Sequence, residues 1–219
     1  MIQKTGLSFG VPSREDYFDF LIRCYFGEGQ DALELCVRRA YLDLNRTLHG
    51  FAVCSNANQL REAAHQRVAD MVAALKHEAA TQQAFDLWHL NACLDLRAHY
   101  RKGGFETFSN GQAQKWLNMT LKYIFAMGES RLPGYLQYYS FAHIPIDNVF
   151  VAAAKAIGGP DLPMPWSRLD DYADYFTLQE IYRAMFAPAA PLSAEFKLWL
   201  GKQELHDSNL TVHSPALLK

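Results

Sequence analysis

Two residues in this sequence combine a reactive side chain with a setting that calls for explanation. Lys115 sits in Gly111-Gln112-Ala113-Gln114-Lys115-Trp116-Leu117-Asn118, followed closely by Met119 and Leu121. Thirty-two residues later, Asp147 ends the run His143-Ile144-Pro145-Ile146-Asp147. An amine among apolar side chains is poorly solvated as a cation, which favours the neutral, nucleophilic form. A carboxylate beside it would stabilise positive charge developing on a substrate. Both residues also have ordinary structural roles open to them. A lysine on an apolar helix can snorkel its ammonium to solvent, and aspartate is a good helix N-cap. If the two meet, the chemistry to expect is amine attack on an electrophilic carbon with carboxylate support.

The elements that must position them are legible in the pattern. Ser109 followed three residues later by Gln112 has capping-box spacing, and it opens a helix over Gly111 to Met127. Ala113, Trp116, Leu117, Leu121, Ile124 and Phe125 cover a wide apolar arc of that helix, leaving Gly111, Lys115, Asn118 and Lys122 as one narrow polar stripe. A Gly- and Tyr-rich connector (128–141) leads to the proline-stiffened segment, and Asp147 then caps a helix over Val149 to Ile157. Upstream, Ser13 precedes an amphipathic helix with Tyr17, Phe18, Phe20, Leu21 and Tyr25, closed by Gly27 and Gly29. Further helices are predicted over 31–48, 58–80 and 81–100. Past the stiff Gly158–Pro165 linker, a Tyr- and Asp-rich helix follows Ser167, with a shorter one around Phe196 to Leu200. Strand-like alternation of β-branched residues is nearly absent, so the expected fold is all-α.

Composition narrows the function classes. The chain has 219 residues, half of them apolar and 20% charged, which builds a packed core and argues against disorder. The formal net charge of −2 gives no whole-molecule field for nucleic acid. Residues 101–131 are nonetheless basic, with Arg101, Lys102, Lys115, Lys122 and Arg131 against Glu106 and Glu129, whereas 132–186 are acidic. Solvated surface would explain that imbalance as readily as a nucleic-acid footprint. No apolar run is long enough to span a bilayer, and MIQKTGLSFGVPSRED lacks a signal peptide's apolar core. Cys24, Cys36, Cys54 and Cys93 are scattered without a CxxC, which excludes a disulfide scaffold and a four-cysteine cluster. Together these point to a cytoplasmic protein with no membrane association. His89 and Cys93 have metal-compatible helical spacing, but no second pair completes a site, and no metal is expected. Asp170, Asp171 and Asp174 suit capping and solvation of a helix, or one of them reads a base edge. No serine triad, P-loop or dinucleotide fingerprint is present.

The order of a capped helix with an inward lysine, a connector, and Ile-Pro-Ile-Asp opening another helix resembles the helix–hairpin–helix DNA glycosylase superfamily. Gly111 to Asn118 match its lysine-bearing helix, and Ile144 to Phe150 match its Pro-Val-Asp element. The long Lys-to-Asp interval and the Gln-Lys-Trp-Leu-Asn run look most like the archaeal-type 8-oxoguanine glycosylase branch. The resemblance covers about 50 residues, Phe108 to Ile157. It lacks the Leu-Pro-Gly-Val-Gly hairpin, replaced here by Thr107-Phe108-Ser109-Asn110-Gly111, and the C-terminal iron–sulfur cysteines of the endonuclease III branch. It implies one glycosylase-like unit over 1–219, built as two helical subdomains around a cleft: a middle one at 30–140, and a second from 1–29 with 141–219. It implies that Lys115 is the nucleophile and Asp147 the essential carboxylate. Ser109, Gly111, Gln112, Asn118 and Lys122, with Arg101 and Lys102, would contact DNA, the amides near Gly111 and Gln112 gripping a phosphate. Trp88, Trp116, Phe141, His143, Trp166 and Tyr172 are candidates for a pocket receiving an extruded base. The implied activity is excision of a damaged or modified base, 8-oxoguanine first, with β-lyase strand cleavage, by a cofactor-free monomer acting on duplex DNA. Two alternatives stay open: a glycosylase for another modified base, as in phage defence, and a catalytically silent helical module binding DNA or a protein.

Overall fold

The computed structural model describes residues 10–29 and 31–210, with side chains through Gly201. Residues 1–9, weighed above as a leader, lie outside them, as do residues 30 and 211–219. The described residues form eight α-helices and no strand: α1 (Arg14–Phe26), α2 (Ala32–Leu44), α3 (Ala57–Ala74), α4 (Gln82–Lys102), α5 (Asn110–Met127), α6 (Asn148–Lys155), α7 (Tyr172–Phe186) and α8 (Pro191–Leu210). The all-α expectation holds.

Most helices start where a short polar side chain can accept from an orphan amide. Ser13, Asp31, Thr81, Ser109, Asp147 and Asp171 all cap in this way, and Ser13 and Ser109 form complete capping boxes with Asp16 and Gln112. Gly27 ends α1 at φ +90°, a conformation that favours glycine. Short 3-10 turns after Leu44 and Ala74 account for the longer helices expected there. Two expectations need correction. The C-terminal helix is 20 residues long rather than a short stretch around Phe196, because Pro191 fits its first turn, where no amide is needed. Helix α1 buries none of its residues, and Tyr17, Phe20 and Leu21 are more than half exposed.

The centre of the molecule is α5. Every residue from Asn110 to Ile124 is buried. It packs against α2, α4, α3, α7 and the Trp166–Arg168 turn. Trp116 is fully buried, and its indole Nε1 donates to the Val37 carbonyl on α2 at 3.0 Å. Buried apolar side chains make one contiguous cluster from Cys36 to Leu192. Each large side chain in it contributes about 1.5–3 kcal/mol by leaving water.

At its N-terminus, α5 is wedged against the loop before α7. The Gly111 amide donates to the Leu169 carbonyl at 2.7 Å, and a methyl group at Gly111 would lie 1.9 Å from the Trp166 carbonyl oxygen. That neighbour is backbone and cannot rotate away. Gly111→Ala should therefore cost about 3 kcal/mol by overpacking. Thermal unfolding checks this; an unchanged midpoint would mean the loop yields freely.

Candidate active site

A cavity of about 710 Å³ opens between α1, α2, α5, α6, α8 and the Trp166 turn. Lys115 and Asp147 both line it. Lys115 Nζ donates to Asp147 Oδ2 at 2.5 Å, while Oδ1 accepts the Phe150 amide at 2.8 Å. The N-cap role and the ion pair are thus held by the same side chain, one oxygen for each. The Lys115 side chain is 4% exposed and that of Asp147 25%, so the carboxylate is the member of the pair that reaches the cavity space. Burial alone would push the Asp147 carboxyl up. The Lys115 ammonium and the Phe150 amide outweigh it and hold the group below the usual aspartate value.

A second buried pair stands two turns along α5. Lys122 Nζ lies 2.7 and 2.6 Å from the two Glu195 oxygens, with hydrogen-bond geometry only toward Oε1. Oε2 is buried without a hydrogen-bond partner. The ammonium also sits 4.5 Å above the Phe196 ring, with Trp199 beyond it. Burial drives the Glu195 carboxyl up despite Lys122, and the Asp147 charge adds to the effect. Two carboxyl groups facing one cavity are therefore pushed in opposite directions, one toward the anion and one toward the acid. The far wall is aromatic and cationic. Arg39 donates to the Tyr25 hydroxyl at 3.0 Å, and Tyr123 donates to Asp43 at 2.5 Å.

The segment that delivers Asp147 has no strand to pair with, yet its backbone is saturated. Gln179 on α7 accepts the Ile144 amide at 3.0 Å and donates to its carbonyl at 2.8 Å. Gln114 on α5 does the same for Ile146, at 3.2 and 3.0 Å. Pro145, between them, needs no acceptor for an amide. Behind Gln114 runs a chain of hydrogen bonds whose direction is fixed by its ends. Arg183 keeps Asp86 an acceptor, so His143 donates from Nε2 to Asp86 and accepts at Nδ1 from the Tyr175 hydroxyl. Tyr175 accepts from Asn118, which accepts from His89 Nε2, and His89 Nδ1 accepts from the Tyr172 hydroxyl.

The sequence-derived candidates divide accordingly. Lys115, Asp147, Lys122 and Trp166 share the cavity. The other pocket candidates stand elsewhere. Trp88 and Trp116 donate to the Met71 and Val37 carbonyls in the core, Phe141 is half-buried beside Gln82, and His143 and Tyr172 belong to the hydrogen-bonded chain. The expected phosphate grip is taken up by protein: Ser109 donates to the Ser167 carbonyl, Gly111 to that of Leu169, and the Gln112 amide to Ser109. Asn118 is buried and fully bonded. The basic surface is likewise largely cancelled. Arg101 pairs with Asp170, Arg131 with Asp19, and the two lysines with Asp147 and Glu195. Lys102 is exposed and has no ion pair among the described residues. Sequence inspection missed Glu195, Gln114, Gln179 and the cavity aromatics Phe18, Tyr25, Tyr123, Phe196 and Trp199, which lie on elements far apart in the chain.

The chain matches no family model, no curated protein and no solved structure. Among the described residues no three His, Cys, Asp or Glu side chains group as metal ligands, and no helix is long and apolar enough to cross a membrane.

The buried histidines make stability pH-dependent. Desolvation holds His89 and His143 below the ordinary histidine value. As pH falls through about 6.5 the unfolded chain takes up protons that the native state refuses, so stability is present above that pH and lost below it. Each histidine should remove up to about 1.4 kcal/mol per pH unit. Denaturant unfolding between about pH 7 and 5 should register the loss; a flat profile would contradict neutral burial.

Proposed function

We propose that the protein is a DNA glycosylase with β-lyase activity, of the helix–hairpin–helix type, working through a Schiff base on Lys115. The observation that carries this proposal is the Lys115–Asp147 pair, joined at 2.5 Å on the wall of one cavity. A lysine that merely snorkelled would be exposed, and an aspartate that merely capped would have no need of it.

In this mechanism a nucleotide leaves the duplex and enters the cavity. The Asp147 carboxylate, kept anionic by its surroundings, stabilises positive charge growing on the deoxyribose. The C1′–N bond breaks, and the base departs with the electron pair and with the proton that the Lys115 ammonium gives up through Asp147. Lys115, having given up its proton through Asp147, attacks C1′. A proton of the attacking amine passes to the ring oxygen as the C1′–O4′ bond breaks, giving the imine, and loss of a C2′ proton expels the 3′-phosphate. The base would lie against Lys122 and Glu195, which offer a donor and an acceptor beside the Phe196 and Trp199 faces. A base with both kinds of group on one edge, such as 8-oxoguanine, suits that wall. The division into two helical subdomains either side of the cavity belongs to this proposal. So does DNA as the partner, approached with Arg39 and Arg46 at the cavity wall rather than the α5 N-terminus.

Borohydride trapping on a panel of lesion-bearing oligonucleotides tests the proposal. The wild-type chain should form a covalent adduct with at least one of them. Lys115→Gln should abolish it without loss of helical signal. Asp147→Asn, which keeps the cap but loses the charge, should slow excision about a hundredfold while leaving oligonucleotide affinity nearly unchanged. Trapping by Lys115→Gln at the wild-type level would move the nucleophile elsewhere.

A further inference from the structure

We infer that Gln114 is a positioning residue that sets the Asp147 carboxylate opposite Lys115; the inference rests on the glycosylase–lyase proposal and names how that site is assembled. The two residues of the pair come from different elements, so the carboxylate stands opposite Lys115 only where the backbone leading to Asp147 is held in place. Gln114 is the neighbour of Lys115 on α5, and its amide grips both backbone groups of Ile146, the residue before Asp147. One step of α5 therefore carries the amine, and the adjacent step carries the clamp on its partner. Gln179 grips Ile144 in the same manner from α7, so the two glutamines act as a two-rung substitute for a neighbouring strand.

The amide of Gln114 cannot turn over. Its oxygen receives Asn118 Nδ2 at 3.0 Å as well as the Ile146 amide, and the polarity of Asn118 is set by Tyr175 and His89 behind it. Reversing the amide would face donor against donor at two points. All of these groups are buried, where an unmet polar atom is costly.

Gln114→Glu turns this into a pH-readable test. A neutral carboxylic acid has the amide's pattern, with a carbonyl to accept from Ile146 and a hydroxyl to donate to it. The ionised form has lost the donor and repels the Ile146 carbonyl. The titratable groups facing the site are Lys115 on the same helix, Asp147 just past Ile146, and His89, His143 and Tyr175 reached through Asn118. Burial should favour the acid form of the new side chain. Single-turnover excision and borohydride trapping would be followed from about pH 8 to 5. Gln114→Glu should be about a hundredfold slow at the alkaline end, recover toward wild type as pH falls, and bind oligonucleotide with unchanged affinity throughout. Gln114→Leu should be slow at every pH. Gln179→Glu, altering the rung farther from Asp147, should show the same recovery from a smaller loss, and it keeps the test open should Gln114→Glu fail to fold.

Wild-type rates for Gln114→Glu at alkaline pH, or equal losses from both glutamate variants, would overturn the positioning role. Amide exchange by NMR adds a readout that needs no activity. Ile146 and Phe150, the latter capped by Asp147, should exchange faster in Gln114→Glu at high pH only. A wild-type chain that traps no lesion sinks the enzymatic proposal alone, because Phe150 exchange still decides whether Gln114 places the carboxylate.

Discussion

A buried ammonium must be met by an anion, since leaving it unpaired in a low-dielectric interior costs several kcal/mol. Helix α5 carries two such ammonium groups while buried on nearly every side. That single constraint ties the later half of the chain to the middle. Asp147 at the start of α6 answers Lys115, and Glu195 on α8 answers Lys122. Both helices are thereby drawn to the same face of α5, and the space left between them, α1 and α2 is the cavity. A packed apolar seam would hold the helices as well or better. Buried ion pairs are weak devices for stability, and their presence on a cavity wall fits a site more readily than a scaffold.

The local punctuation of the fold was open to inspection because it depends on short-range chemistry. Ser109 with Gln112, Asp147 before its helix, and Gly27 after α1 all act within a few residues of where they stand. The full length of helix α8 escaped because its apolar residues keep no clear helical period. The exposed face of α1 was equally hidden, since aromatic residues at helical spacing look the same whether they meet a core or the rim of a cavity.

At the site, Lys115 and Asp147 stood out because each was odd in its own setting. Glu195 did not, because a glutamate on a C-terminal helix has nothing unusual about it until Lys122, 73 residues earlier, is found beside it. The basic stretch is the same case in reverse. Charge counted along the chain says nothing of the carboxylates that folding brings in from residues 19, 147, 170 and 195. Of the aromatic candidates Trp166 alone lines the cavity, whose other rings come from α1, α5 and α8.

The chain of hydrogen bonds from Asp86 to Tyr172 has a consequence for how this sequence can vary. Each link is a donor facing an acceptor, and the direction of every one follows from the last. A histidine in it can be exchanged only for a group that keeps both its polarity and its reach. A change that reverses one link sets two donors or two acceptors face to face at the next, so it becomes tolerable only together with a second change there. Substitutions along this path should be epistatic, with paired replacements costing less than the sum of their parts. In any set of descendants of this chain, residues 86, 89, 118, 143, 172 and 175 should drift as a block or stay as they are.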